Sequence, residues 1–599
     1  MSKGGSMPQV KIPLARGLRK DPHTADYIDG LPVNMLATPK EVLNASGYLR
    51  SFPALEKRHS VDGVSRGVQY NTKNNTVYRV CGNKLYRGQN AIAGIQGKDR
   101  VTMAHSGYSQ AVASGGKLKL YRYDGEVKEL TNWPEEEVIT EGYKRDVKKW
   151  THKEGNDDFV PLTKGDLDGF LTLKITPKTS DGKTGNEMLI TEQMVGVKLS
   201  QQEDDEKPYL TDVLVEGVKR AGGKITVTYK MNLAKSSEQT AKDVTEFLMT
   251  QEVLEVVERY PQYELGDVVD VSRNRGRYIW LQKGGERFGV TDLEDESKPD
   301  RYRPFYTAES QPDGIIAIDS WRDMVLCFGS STIEYFTITG STSASQVIYA
   351  PQPSYMVQMG IAGRDAKCKF GESFAFISNP ANGAPSVYIL GSGSASQIST
   401  ASIDKIIRSY TSEELSHAAL ETIRFDGHEL LIVHLQRHTL CFDAAGSQQY
   451  PQWCILKSGL YDEIYRAIDF MYEGNQITVA DKSEGIVGNL AFNKSAQYDK
   501  QVEHILYTPM AKADNARVFD LELEASTGVA QIADKLFISA TTDGINFGRE
   551  QMIEQNSPFQ YDRRVLWRRV GRVRKNIGFK VRVITKSPVT LSDLSMRVE

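Results

Sequence analysis

The chain has little net charge and little cysteine, and each absence removes a class of function. Against 74 Lys and Arg stand 77 Asp and Glu, a net charge of −3 over 599 residues. That balance lacks the cationic excess by which a whole protein adheres to nucleic acid through counterion release. The five cysteines, Cys81, Cys327, Cys368, Cys441 and Cys454, are scattered singly with no Cys-x-x-Cys spacing. They predict small buried hydrophobes in a reducing compartment, not a disulfide framework or a zinc site. No apolar run approaches a membrane span and mean hydropathy is −0.43, which predicts a soluble chain with no membrane anchor. The opening Met1-Ser-Lys-Gly-Gly-Ser-Met7 is small and polar, without the apolar core of an export signal, and Met1 to Ser6 reads as a leader before Met7. A Gly-x-x-x-x-Gly-Lys-Ser/Thr loop and His-Glu-x-x-His are both missing, so NTPase and zinc-hydrolase readings lose their usual support. No cofactor and no metal is expected.

What is present is a repeated local grammar. Arg66-Gly-Val-Gln-Tyr-Asn-Thr, a Lys73-Asn-Asn75 turn, Thr76-Val-Tyr-Arg-Val-Cys81, another turn and Leu85-Tyr-Arg form one unit. Val101 to Tyr123 forms a second, and further copies begin near Val268, Ile315, Cys368, Ile423 and Ala467. Alternating apolar positions put every second side chain on one face, and Gly, Asn and Asp tolerate the positive φ of tight hairpins. Each unit is an antiparallel meander, and meanders recurring at this period predict a mainly β fold: a six- or seven-bladed β-propeller, weighed against a pair of β-sandwiches built from the same strands.

Composition changes mark the remaining boundaries. The run 134–262 opens on Pro134-Glu-Glu-Glu137 and is rich in Lys, Asp and Glu, with strands at Gly169–Thr176, Val213–Val218 and Lys224–Tyr229 and a Gly222-Gly223 hairpin signal. Ser236 with Gln239 as a capping box, then Val244, Phe247, Leu248 and Leu254, predicts a helix to about Val257, stopped by Pro261. The stretch therefore predicts an α+β domain inserted in a propeller loop. The chain divides into an extended N-terminal arm (1–62), first blades (63–133), the insert (134–262), remaining blades (263–501) and a C-terminal β-sandwich (502–599). The arm, with Pro13, Pro22, Pro32, Pro39 and Pro53, is expected to lie on the fold or on a neighbouring subunit.

Few residues suggest chemistry. Thr541-Thr-Asp-Gly-Ile-Asn-Phe547 is similar to the Asp-box turn of sialidase-like propellers, where the Asp pins a hairpin. Asp292-Leu-Glu-Asp-Glu296 reads as a solvated acidic loop lacking the spaced pattern of a calcium site. His434 and His438 lie on a strand and turn, too far apart for one metal. The densest charge is the run containing Arg563, Arg564, Trp567, Arg568, Arg569, Arg572, Arg574 and Lys575. Guanidiniums pair with carboxylate or phosphate and stack on aromatics, so the run reads either as a docking face for an acidic partner or DNA phosphate, or as a strand surface paired with the chain's own acids.

Ala25-Asp-Tyr-Ile-Asp-Gly-Leu-Pro-Val-Asn-Met-Leu-Ala-Thr-Pro-Lys-Glu41 and Gly47-Tyr-Leu-Arg-Ser-Phe-Pro53 resemble the tail-hub, or nozzle, proteins of short-tailed phages of enteric bacteria, also called packaged-DNA stabilisation or head-completion proteins. The resemblance returns at Glu309–Ile316, Phe376–Tyr388 and Lys512-Ala-Asp-Asn-Ala-Arg517 and runs through Thr541-Thr-Asp-Gly to the C-terminus, leaving out about Glu135 to Arg259. It implies a structural virion protein without catalysis, made in the host cytoplasm. It further implies a homohexameric ring below the portal's adaptor ring that continues the channel for double-stranded DNA, holds the tail needle and lies beside the tailspikes. Shorter members pass from the blade near Trp133 almost directly to Tyr263-Glu-Leu-Gly266, so the insert's role is not carried over. A propeller glycosidase or depolymerase of surface polysaccharide, and a glycan-binding module acting through the insert, are the competing expectations.

Overall fold

The computed structural model describes residues 9–14, 17–24, 26–42, 45–134, 143–152, 158–161, 170–217, 224–253, 260–308, 313–339, 348–447 and 450–599. The expected Met1–Ser6 leader, the Glu135–Glu137 opening of the insert, the Gly222-Gly223 turn, the helix end at Leu254–Val257 and the Glu309–Pro312 part of one family-like stretch lie outside the described residues.

Among the described residues, seven antiparallel meander sheets follow one another, at 65–94, 102–129, 268–307, 315–351, 367–397, 419–464 and 467–491. Their tight turns use the geometry the sequence implies: Arg275 and Gly276 both have positive φ (45° and 87°) between the paired Asn274 and Arg277, the twist that a two-residue hairpin requires. The first strand of each sheet lines the axis; these strands pack beside one another, with the ion pair of Asp319 and Lys367 linking the fourth sheet to the fifth, and the circuit closes where Ala467–Glu473 meets Ser65–Asn71. Apolar cores are shared between adjacent sheets, as where Phe328 of one meets Phe374 and Phe376 of the next. The seventh sheet takes its outer strand from the far end of the chain: Ala54–Ser60 pairs with Ile486–Ala491. This is the β-propeller, with its sheet faces buried blade against blade.

Two further sheets form the C-terminal β-sandwich. One contains Arg517–Ala525, Val565–Arg572 and Thr590–Val598; the other contains Val502–Tyr507, Lys535–Thr541, Gln551–Glu554 and Asn576–Thr585. Leu521, Leu536, Trp567, Phe579, Val581 and Leu594 fill the space between them.

The N-terminal arm is built of short strands. Gln9–Pro13 and Tyr48–Ser51 both pair with Thr590–Val598, and Met35–Thr38 pairs with Tyr48–Ser51, so the arm supplies strands to the sandwich before Ala54–Ser60 closes the propeller. Prolines between these short strands hide their period in the sequence.

Residues 133–262 form a separate compact unit. Its described residues contain a four-stranded and a three-stranded sheet and one short 3-10 turn, Glu192–Met194. The expected α+β character is therefore corrected: the stretch read as a helix contains the strand Glu246–Val253, paired on both sides with Tyr143–Thr151 and Phe170–Thr176. Phe247, Met249 and Gln251 are buried in alternation while Leu248 is not, a period of two that overrides the apparent helical spacing.

Candidate functional site: a braced axis and a cationic sheet edge

The seven innermost strands enclose an axial cavity of about 640 Å³. Charged residues recur there, among them Asp270, Asp319, Lys367, Glu421 and Asp469. Each acid reaches the neighbouring blade. Asp270 accepts from the Ile318 N–H (2.9 Å), Asp319 pairs with Lys367 (3.4 Å), and Glu421 accepts from the N–H groups of Asp469 (3.1 Å) and Phe470 (2.8 Å). Asp469 in turn takes Arg100 at 2.5 Å, and its carbonyl accepts from Arg79 at 3.0 Å. Arg364 spans three positions, donating to the carbonyls of Val269 (2.9 Å) and Arg100 (2.8 Å) and to Asp365 (2.9 Å).

Burial sets the titration of this ring. It pushes Asp270 upward, and with the nearby Asp469 charge it raises Glu421. It acts on Asp469 too, but Arg100 and Arg79 outweigh it and hold that carboxyl below the usual range. Lys482 falls to about 7 because it is buried. A buried charge stays tolerable only when paired and hydrogen-bonded, and here the pairs join one blade to the next. The carboxylates act as braces, and the remaining space is that of a small-molecule pocket, too small for a DNA duplex. Sequence reading passed over these residues, although Ala317-Ile-Asp319 and Ala467-Ile-Asp469, with Ala419-Leu-Glu421, repeat at equivalent places.

Other candidates resolve as structure. Asp543 accepts from the N–H groups of Ile545 and Asn546, both at 2.8 Å, and these backbone donors hold its carboxyl low, as in a hairpin brace. The 292–296 loop is not simply solvated: Asp292 is buried and takes Arg301 at 2.9 Å. His434 is buried against Glu421, and His438 meets the Tyr410 hydroxyl at 2.6 Å. Gly63-Val-Ser-Arg-Gly67 has the spacing of a hydrolase nucleophile elbow, but Ser65 opens a blade strand with no helix after it, without the strand-to-helix turn such an elbow needs.

The cationic run starts just before Val565–Arg572, an edge strand of the sandwich, and continues along it and onto the turn after it. The strand divides it. Trp567 points into the core, 3% exposed, and Arg564 is held by Glu522 at 2.5 and 2.6 Å. Arg563 reaches Glu554 at 3.8 Å. Beyond Trp567 the pairing with Arg517–Ala525 shifts register: Asp520 faces Arg568 and Val518 faces Gly571. Arg569 takes the extra position with φ +61°. This bulge breaks the alternation and leaves both Arg568 and Arg569 exposed. Arg572, Arg574 and Lys575 are exposed as well. Arg517, outside the run in sequence, stands directly opposite Arg572; only strand pairing reveals it.

Two family models match. One described as the β-propeller of bacteriophage P22 Gp10 covers residues 10–156 and 208–495, and one described as its β-sandwich covers 503–599. The tail hub protein gp10 of Salmonella phage P22 is 51% identical over 593 residues, spanning 99% of this chain and 100% of that protein. Among solved structures, an exo-β-1,3-galactanase of Phanerochaete chrysosporium is 6% identical over 56% of this chain and 96% of its own, with a TM-score of 0.21. A Dos1 propeller is 10% identical over 74% and 95%, with a TM-score of 0.20. Those two likenesses are too slight to bear on fold or chemistry.

Proposed function

We propose a role for this chain from the premise that it belongs to the Gp10 family of phage tail hub proteins: six copies form a ring, or nozzle, beneath the portal's adaptor ring. The ring continues the DNA channel, seats the tail needle, stands beside the tailspikes and keeps packaged DNA in place until ejection. It completes the head after packaging, within a virion whose components are made in the host cytoplasm. The observation carrying this reading is the 51% identity to a tail hub protein over 593 residues, 99% of the chain. The braced axis supports it: with the propeller's axial cavity only about 640 Å³ and rimmed by ion pairs that join neighbouring blades, a conduit for DNA belongs between copies. Ring closure then uses a heterologous interface, one surface meeting a different surface on the next copy. Residues 134–262 serve as a module of their own, distinct from the propeller runs (63–133 and 263–501), the arm (1–62) and the sandwich (502–599).

Imaging the purified chain with its adaptor ring tests the proposal. Six-fold rings are expected, and a complex without six-fold symmetry would overturn it. The glycosidase alternative draws no support from the axis, because Glu421 is engaged by the backbone of the next blade. Reproducible release of reducing ends from host lipopolysaccharide would reinstate it.

A further inference from the structure

We propose that the exposed cations at the sandwich edge, Arg517, Arg568, Arg569, Arg572, Arg574 and Lys575, form a docking surface for an acidic polypeptide segment of a partner protein. The proposal takes from the tail-hub reading only its setting, a protein that holds neighbours in place.

The first argument is the contrast within one sandwich. Arg563, Arg564, Arg582 and Arg597 each reach a carboxylate: Glu554, Glu522, Glu550 and Asp520. The six cations of the edge make no ion pair with a carboxylate among the described residues, and two acids close in sequence are already engaged, Asp520 by Arg597 and Asp514 by Lys512. The second is that Arg517 and Arg572 are direct cross-strand partners. Like charges placed opposite each other destabilise a sheet, and a bound anion between them removes that cost. The third is backbone: Arg569 holds a left-handed φ of +61°, a conformation unfavourable for a side chain of its size. It turns two adjacent guanidiniums outward. A bulge with cations also blocks strand addition at this edge, so a partner would engage the side chains and leave the backbone ladder alone.

Protein is favoured over DNA as the occupant. The lead-in to the same strand carries Phe559 and Tyr561, 84% and 68% exposed. These aromatics lie at the Gly528 end of the strand and Arg517 and Arg572 at the other, so one sheet edge carries both arginines and exposed aromatics, the composition of protein interfaces.

The test uses the full-length chain, a labelled poly-glutamate peptide and a DNA duplex of equal charge. Arg568→Glu, Arg572→Glu and Arg574→Glu are combined in one variant. A control combines Lys535→Glu, Arg549→Glu and Lys586→Glu, exposed cations elsewhere on the sandwich. Poly-glutamate is expected to bind the wild type more tightly than DNA does, with the edge variant weakened about tenfold and the control changed far less. Equal binding by edge variant and wild type, equal loss in the control, or tighter binding of DNA would each overturn the proposal. A neutral set, Arg568→Gln, Arg572→Gln and Arg574→Gln, replaces the edge variant if charge reversal prevents folding. Incorporation into tails separates the two readings. Wild type and edge variant entering equally would sink the docking surface alone, whereas failure of the wild type to enter would sink the hub reading and leave the peptide result to decide this one.

Discussion

Asn34 adopts a left-handed backbone (φ +56°) while 2% exposed, a conformation that Asn tolerates better than most residues. It joins three parts of the chain. Its N–H donates to Ile455 O and its Oδ1 accepts from Lys457 N in the sixth blade, while its Nδ2 donates to Glu503 O in the sandwich. Its own carbonyl accepts from Phe52 N and lies 3.0 Å from Nδ1 of His504. His504 is 1% exposed, and burial, partly offset by that carbonyl, lowers its pKa to about 4. The folded chain therefore binds fewer protons at this ring than the unfolded chain between pH 6.5 and 4. Its contribution is present above 6.5 and is lost as pH falls toward 4. Unfolding midpoints in urea at pH 7.5 and 4.5 are expected to show the wild type losing about 2 to 3 kcal/mol more than His504→Gln on acidification. An identical loss in the two proteins would refute this assignment.

At the scale of elements, the decisive strand is Ala54–Ser60. It covers the edge of Ile486–Ala491, and Leu36, Phe52 and Leu55 just before and within it are buried in the core shared by the sixth and seventh blades. Each such side chain contributes about 1.5 to 3 kcal/mol through burial. Removing residues 1–62 takes away these groups together with three strands of the sandwich sheet. The truncated chain is expected to be insoluble or to lack a cooperative melt, measured by calorimetry beside the full chain; a melting temperature within a few degrees of the wild type would show that the closure is dispensable. Alternation inside the meanders was legible because it is local. Closure was not, since the partners lie more than 400 residues apart and the prolines break the arm's pattern. The cationic run was half legible. Its charge could be read directly, but the acids that neutralise Arg563 and Arg564 sit on other strands, and the bulge that frees Arg568 and Arg569 arises from pairing.

For the molecule as a whole, charge and connectivity single out the insert. Residues 133–262 hold 25 acidic and 18 basic side chains, a net of −7, which leaves +4 on the rest. The ends of the interruption are tied together within the main unit: Asn132 Nδ2 donates to Tyr263 O at 2.9 Å, and Tyr263 N donates to Asn132 Oδ1 at 3.0 Å. Because the main chain leaves and returns at one place, excising the insert costs little loop-closure entropy. Replacing 133–262 by a short Gly-Ser linker is expected to leave a body that melts within a few degrees of the full chain and still forms the ring. Loss of either, by calorimetry or imaging, would place the insert within the structural core.

Strand content, the meander repeat and a compositionally foreign insert were all determined by the sequence, because period-two burial and turn chemistry act between residues a few positions apart. Only the tertiary structure decided that the arm closes both the propeller and the sandwich, that the axial acids brace neighbouring blades, that the insert's apparent helix contains a strand, and which arginines stand free. Those outcomes depend on register and burial between distant segments, where a side chain's neighbours are chosen by packing and not by its place in the chain.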